Sequence, residues 1–226
     1  MNFLIRVLRK LYYGPKAVLG RVFFGSDRVL NDGERYDPFL SSFSHKDMSH
    51  LPRYEFAANY LTASDTVLDV ACGTGYGTEI LAAACKKAVG IDKSKEAITY
   101  AKQQRNSDGL EFIEDDFFEH NVTADVVVSF ETIEHIIVPD MDTVLLKLLS
   151  STRSKIIGSV PYKEKKGSNP HHYFFDLDEG SLDILKNDGE LKFFYQNPSG
   201  EISSEKPNEI IQNLIFIFTR TADNES

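Results

Sequence analysis

The chain has 226 residues, 42% hydrophobic and 26% charged, which suits one folded core and excludes a disordered or fibrous protein. The net charge of −9 argues against a general nucleic-acid binder, which would normally present a basic face, so we expect no nucleic-acid partner. The two cysteines, Cys72 and Cys85, are too few for a disulfide framework or a complete zinc site. The sequence contains no run of about 18 apolar residues that would indicate a membrane span, and no secretory signal is evident. We therefore expect a cytoplasmic protein.

The start of the chain differs in charge from the rest, because residues 1–26 contain five basic side chains and no acidic one. The apolar spacing over residues 2–13 predicts an amphipathic helix. Such a basic helix can bind an anionic membrane surface, which makes residues 1–24 a candidate peripheral contact at the inner face of the membrane. Packing on the domain or on a second subunit of a homodimer explains the pattern equally well, and a mitochondrial presequence is a third alternative.

The sequence VLDVACGTGYG, residues 67–77, is the most informative pattern. Its apolar first part predicts a strand, and a helix is predicted from Thr78 to Cys85 after three glycines. A glycine-rich turn between a strand and a helix lets bare backbone approach a ligand closely. The pattern therefore predicts a nucleotide-type cofactor site.

Polar residues also follow the next three predicted strands. They are Asp92 after residues 88–91, Asp115 and Asp116 after residues 110–113, and Glu131 after residues 124–129 and Phe130. An acidic residue at the end of the second strand, about 20 residues beyond the glycines, is placed to accept ribose hydroxyls. Four strand ends would thus present polar groups along one edge of a sheet.

These residues resemble those of class I S-adenosylmethionine-dependent methyltransferases. The motifs DVACGTGYG, GIDKS, EDDF and DVVVSFETIEH match that family in order and spacing over residues 54–162. The resemblance implies an α/β, Rossmann-like fold: a mostly parallel seven-stranded sheet with an antiparallel C-terminal strand and helices on both faces. NAD-dependent enzymes are the competing interpretation, but they usually carry GxGxxG where this chain has GTGYG.

The same resemblance implies S-adenosyl-L-methionine as cofactor, held by a domain over residues 48–226, with residues 1–47 forming the amphipathic helix and a cap or lid. Asp92 would bind the ribose, and Asp115 or Asp116 the adenine amino group. Arg53 and Tyr36 are candidates for the cofactor carboxylate, although each could simply cap the domain surface. The full predicted set is Asp69, Ala71, Gly73, Thr74, Gly75, Tyr76, Asp92, Lys93, Asp115, Asp116, Phe117, Phe130, Arg53 and Tyr36.

The segment ETIEH, residues 131–135, is the first candidate for the chemistry. If it were helical, Glu131, Glu134 and His135 would share one face at i, i+3 and i+4. His135 could then be a general base with Glu131 beside it. The similar ExxEH of ubiquinone-pathway O-methyltransferases suggests a divalent ion instead, and a packed polar face is the third alternative. We assign no metal ligand from the sequence.

The segment NPHHYFFD, residues 169–176, is the second candidate, with His171 and His172 able to orient a sugar hydroxyl or a phosphate. It resembles an NPxH pattern in methyltransferases of bacterial surface-glycan assembly. The resemblance implies O-methylation of a saccharide or phosphosaccharide in polysaccharide biosynthesis. A small-molecule, quinone-type O-methyltransferase and a non-catalytic protein that keeps the cofactor fold are the alternatives.

Overall fold

The computed structural model describes residue 37 and residues 50–221. The predicted amphipathic helix over residues 2–13, the candidate membrane contact over residues 1–24 and Tyr36 lie outside the described residues, as does the predicted lid apart from Asp37. Within the described ranges, no helix combines the length and the hydropathy that a membrane span requires.

Strands and helices alternate through most of the described chain. The strands are β1 (Thr66–Val70), β2 (Lys87–Asp92), β3 (Leu110–Glu114), β4 (Ala124–Phe130), β5 (Thr152–Pro161), β6 (Gly189–Gln196), β7 (Ile202–Ser203) and β8 (Asn213–Arg220). The helices are α1 (His50–Ala58), α2 (Tyr76–Ala82), α3 (Lys95–Gln104) and α4 (Met141–Ser151), with 3-10 segments at Ile133–His135 and Glu179–Asn187.

The strands form one sheet in the order β3-β2-β1-β4-β5-β8-β6-β7. Strands β1 to β5 pair in parallel, and β8 lies antiparallel between β5 and β6. This confirms the predicted Rossmann-like fold with its antiparallel C-terminal strand. The two-residue β7 adds a short edge pairing with β6 beyond the seven predicted strands.

Apolar side chains pack on both faces of the sheet. Along β1, Val67 packs in the cluster that contains Leu81 of α2, and Leu68 packs in the cluster that contains Leu145 of α4. Successive strand residues point to opposite faces, so a continuous apolar strand requires helices on both sides. Because β1 pairs in parallel with both β2 and β4, the carboxyl ends of these three strands lie together at one edge of the sheet.

The sequence predicts three helix starts, namely Ser94 as the cap of a helix over residues 95–105, Pro139 at the opening of the next helix, and Asp176 or Asp178 as the cap of a helix to about residue 185. Ser94 caps α3 as predicted, since its Oγ accepts a hydrogen bond from the Ala97 amide at 3.2 Å. Pro139 does not open α4, because Asp140 caps that helix and accepts from the Thr143 amide at 2.8 Å. Asp178 does cap the next segment, but that segment is a 3-10 helix.

Candidate active site

A cavity of about 760 Å³ lies at the carboxyl ends of β1, β2 and β4. This is the position at which parallel α/β sheets bind ligands, and the volume suits a nucleotide-sized molecule. Most of the predicted site residues line this cavity, namely Arg53, Ala71, Gly73, Thr74, Tyr76, Asp92, Lys93, Asp115, Asp116, Phe117, Phe130, Glu131, His135 and His171. Asp69, Gly75 and His172 are not among its lining residues.

The glycine turn brings backbone to the cavity wall. Gly73 has φ +53°, and a Cβ at this position would contact no atom within 4 Å. Glycine is therefore favoured here by the backbone conformation and not by packing. Gly75 has φ +74°, and a Cβ there would lie 2.5 Å from the Phe112 ring, so glycine is required for packing as well. Gly75 therefore shapes the turn from behind the cavity.

Asp92 ties the glycine turn to β2. Its Oδ2 accepts a hydrogen bond from the Gly73 amide at 2.9 Å, and its Oδ1 accepts from the Ser94 amide at 2.8 Å. Each carboxylate oxygen keeps a second lone pair that can accept from a hydroxyl. The position at the cavity wall suits the predicted ribose contact.

Asp69 lies behind the cavity and is fully buried. Its Oδ2 accepts a hydrogen bond from the Thr78 hydroxyl at 2.6 Å and its Oδ1 from the Tyr54 hydroxyl at 3.3 Å. Burial raises the pKa of Asp69 to about 7, against the opposing effect of these two hydrogen bonds. Asp69 therefore links β1 to α1 and α2 and supports the turn from within the core.

The loop after β3 presents acidic and aromatic side chains to the cavity. His120 Nδ1 lies 2.7 Å from Asp115 Oδ2, and this hydrogen bond holds the pKa of Asp115 below its usual value. Asp116 Oδ1 accepts from the Phe118 amide at 2.9 Å. Phe117 is buried beside them, and the arrangement suits the predicted adenine contact.

The opposite side of the cavity contains an ion pair between a buried arginine and a partly exposed glutamate. Arg53 Nη1 lies 2.5 Å from Glu131 Oε1, and the Arg53 side chain is fully buried. Glu131 also accepts hydrogen bonds from Ser159 Oγ at 3.0 Å and Asn213 Nδ2 at 2.7 Å. Burial alone would raise the pKa of Glu131, but the positive charges of Arg53 and His50 outweigh burial and lower it. Glu131 is therefore a weak proton acceptor suited to orienting Arg53.

Glu131 does not share a helix face with Glu134 and His135. Its φ is +51°, which is the left-handed region, and the 3-10 turn begins only at Ile133. The segment is therefore not helical from Glu131 onward, and the condition for a shared helix face is not met. Non-glycine residues in this conformation are strained and often occur at functional sites.

Glu134 was not predicted as a site residue, yet it is fully buried directly before His135. Within the described part of the chain, neither of its carboxyl oxygens has a hydrogen-bond partner. Burial, and then the charge of Glu131, raise the pKa of Glu134 well above its usual value. In the sequence it stood out only as part of the ExxEH pattern, as a possible ligand of a divalent ion.

His135 and His171 line the cavity, whereas His172 is held behind His135. His172 Nδ1 lies 2.5 Å from Glu164 Oε2, and its Nε2 lies 2.9 Å from Asn169 Nδ2. The rings of His135 and His172 are nearly perpendicular, with centroids 4.6 Å apart. His172 is thus placed to support its neighbour from outside the cavity.

Several lining residues were not assigned from the sequence: His50, Thr132, Ile136, Ile137, Val138 and Tyr173. Each of them lies within three positions of a predicted site residue, and this proximity was the signal available in the sequence. Ile137 and Tyr173 are 75% and 52% exposed and form an apolar lip.

Known proteins share this fold and part of this sequence. Two proteins named "Probable S-adenosylmethionine-dependent methyltransferase" align with 46% of this chain: one of Mycobacterium tuberculosis, 29% identical over 107 residues, and one of Mycolicibacterium smegmatis, 27% identical over 110 residues. The chain spans only 38% and 40% of the length of these two relatives.

Two solved structures share the fold at low sequence identity. Magnesium protoporphyrin IX methyltransferase of Synechocystis, with bound SAH, superimposes with a TM-score of 0.64 and 17% identity, over 78% of this chain and 86% of that chain. The N-methyltransferase NodS of Bradyrhizobium japonicum, in complex with S-adenosyl-L-homocysteine, gives a TM-score of 0.60 and 16% identity, over 85% and 96%.

A family model described as "Methyltransferase domain" matches residues 61–189. This range is more than half of the chain and includes the glycine turn, Asp92, the loop after β3 and the ETIEH segment. The chain therefore belongs to the methyltransferase domain family.

Proposed function

We propose that this chain binds S-adenosyl-L-methionine and transfers its methyl group to a hydroxyl oxygen of a saccharide or phosphosaccharide in surface-glycan assembly. The observation that carries the proposal is one cavity lined by the glycine turn and Asp92 together with Glu131, His135 and His171. The names of the mycobacterial relatives and the SAH-bound fold relatives support the cofactor.

The buried guanidinium of Arg53 supports a carboxylate-bearing cofactor. Its Nη1 is paired with Glu131, while Nε and Nη2 have no hydrogen-bond partner among the described residues. A buried donor without a partner costs about 1–3 kcal/mol, and a carboxylate can accept from two guanidinium N–H groups at once. The methionyl carboxylate is the group that fits this chemistry, since Arg53 lines the cavity.

Methyl transfer from a sulfonium is a displacement with a neutral leaving group, so the enzyme mainly aligns donor and nucleophile and excludes water. A hydroxyl acceptor also gives up a proton. His135 lines the cavity and is the residue we assign as general base. Glu131 orients Arg53, and His171 contacts the acceptor.

A quinone-type small-molecule acceptor is the second candidate. The apolar lip of Ile137 and Tyr173 favours it, because a flat apolar ring would cover these two exposed side chains. The polar pair of His135 and His171 favours the saccharide. A non-catalytic binding protein is the alternative of another class.

The location and assembly of the protein are part of the proposal. We place it in the cytoplasm, peripherally attached to the inner face of the membrane through residues 1–24, where lipid-linked acceptors are available. Equal flotation with anionic liposomes of the full chain and of a chain starting at Ser26 would contradict the attachment. Sedimentation of the same two proteins tests whether this segment instead forms a homodimer.

Calorimetric titration with S-adenosylhomocysteine is the first test of function. Saturable binding is expected, and no binding at millimolar concentration would contradict both enzyme candidates and favour the non-catalytic protein that keeps the cofactor fold. Radiolabelled methyl transfer into glycan, lipid and small-molecule fractions then identifies the acceptor class. Label only in a quinone or phenol fraction would replace the saccharide proposal by the second candidate.

A further inference from the structure

We propose that Glu134, His135 and His172 form a binding site for a divalent transition-metal ion at the edge of the cavity. One carboxyl oxygen of Glu134 and one ring nitrogen from each histidine all lie within 4.8 Å of one another. The test of this site is separate from that of the acceptor proposed above, because metal binding requires only these three side chains. An ion bound to His135 would occupy one of its ring nitrogens, and the ion would then activate the acceptor hydroxyl in place of the general base assigned above.

The buried carboxyl of Glu134 is the observation that most directly points to a ligand. The side chain is 0% exposed, and both of its oxygens lack a hydrogen-bond partner among the described residues. A buried carboxylate without a partner is costly, and a coordinated cation offsets that cost. Glu131 differs, because Arg53, Ser159 and Asn213 already contact its carboxylate.

The fold holds the two histidines together from distant parts of the sequence. The Tyr173 amide donates to the Glu134 carbonyl at 2.7 Å, which fixes the segment carrying His172 against the turn carrying His135. Glu164 Oε2 lies 2.5 Å from His172 Nδ1. A carboxylate that binds one ring nitrogen orients the other nitrogen toward a metal, as is typical of metal-ligating histidines. Metal binding at Nε2 would replace the present contact with Asn169.

The donor set indicates which ions fit. Zinc bonds of about 2.0–2.1 Å place the ligands of a tetrahedral ion roughly 3.3 Å apart, so side-chain rotations need to bring these atoms closer by at most about 1.5 Å. Two imidazoles and one carboxylate suit Zn²⁺, Co²⁺, Fe²⁺ or Mn²⁺ better than Ca²⁺ or Mg²⁺, which prefer oxygen ligands. Since three protein ligands leave a coordination position open and His135 lines the cavity, a hydroxyl group could occupy that position.

The test measures metal binding on the full chain without a polyhistidine tag. The protein is treated with a chelator, desalted and titrated calorimetrically with Co²⁺ and with Zn²⁺, and the visible Co²⁺ spectrum reports coordination. We expect equimolar binding. Glu134→Gln, His135→Ala and His172→Ala should each weaken it by at least about tenfold, and Glu164→Gln, which acts through His172, by about tenfold.

His171→Ala is the matched control, because it removes the adjacent histidine from outside the proposed site and should leave the Co²⁺ affinity unchanged. Urea unfolding of each metal-free variant shows whether it is folded. If one ligand variant is unfolded, the Co²⁺ affinities of the other two decide the test. Absence of Co²⁺ and Zn²⁺ binding by the unsubstituted chain would overturn the proposal. Equal affinity in the folded ligand variants would also overturn it. Neither result bears on cofactor binding or on the acceptor.

Discussion

The two ends of the cavity satisfy their polar groups differently. On the cofactor side, Asp92 accepts from two backbone amides, and the turn around it is held by backbone geometry. The opposite end is called the acceptor side, because the proposed general base His135 lies there beside the place proposed for the methionyl carboxylate. Arg53 and Glu134 are fully buried at this end, and together they have four polar side-chain atoms without a hydrogen-bond partner among the described residues. Buried polar groups without partners are costly, so they are expected where a ligand completes the structure.

This difference also separates local from distant interactions. The hydrogen bonds to the Asp92 carboxylate come from residues within 19 positions of it. Those of Glu131 reach Arg53, Ser159 and Asn213, the last 82 positions away. The cofactor side depends on a local motif. The acceptor side depends on contacts between side chains that are distant in the sequence, and removing one of them leaves the others without a partner.

Arg53→Met should produce the largest effect, because it leaves the partly buried carboxylate of Glu131 without its cation. We expect the free energy of unfolding to fall by about 3–5 kcal/mol, measured by urea denaturation. Arg153→Met is the matched control, since it removes the half-exposed ion pair with Asp125 and should cost at most about 1 kcal/mol. Equal losses in the two variants would show that the acceptor side gains nothing special from this ion pair.

Asp92→Ala should be the largest change on the cofactor side. Removing the carboxylate that we predict to accept from the ribose should cost about 3 kcal/mol of binding free energy, or about 100-fold in the dissociation constant of S-adenosylhomocysteine. Isothermal titration calorimetry measures this, with Asp183→Asn on the surface as control. An unchanged affinity would contradict the ribose assignment of Asp92.

Asp69→Asn should change the pH dependence of stability. The usual pKa of 3.8 is raised to about 7 in the folded protein, so the folded state binds this proton more tightly than the unfolded chain. The resulting stabilisation is complete below about pH 4 and is lost as the pH rises through about 7. Urea unfolding between these values should show the unsubstituted chain losing about 2–3 kcal/mol relative to the variant. Parallel pH profiles would contradict the raised pKa.

Ser94→Ala should give the smallest effect, about 1 kcal/mol of stability, because it removes only the cap of α3. The Ser94 amide still donates to Asp92, so the affinity for S-adenosylhomocysteine should change by less than about twofold. Asp140→Ala removes the corresponding cap of α4 and should cost a similar amount. A loss of affinity as large as that of Asp92→Ala would mean that the cofactor side is not held by its backbone.

The predicted elements agree with the structure where the sequence pattern is local. The sheet, the glycine turn and the Ser94 cap were predictable, because apolar runs, glycines and capping residues act on their nearest neighbours. The condition for a shared helix face of Glu131, Glu134 and His135 is not met, because the left-handed Glu131 and a 3-10 turn stand in place of a helix. Hydrophobic spacing contains no signal for that conformation.

The sequence by itself determined the fold family and the position of the cofactor cavity, since a strand, a glycine turn and an acid at the next strand end define them within about 25 residues. Only the tertiary structure decided which side chains meet on the acceptor side. It pairs Arg53 with Glu131, buries Glu134 and brings His172 against His135. These contacts join residues up to 78 positions apart, and packing of the sheet, rather than any local pattern, creates them.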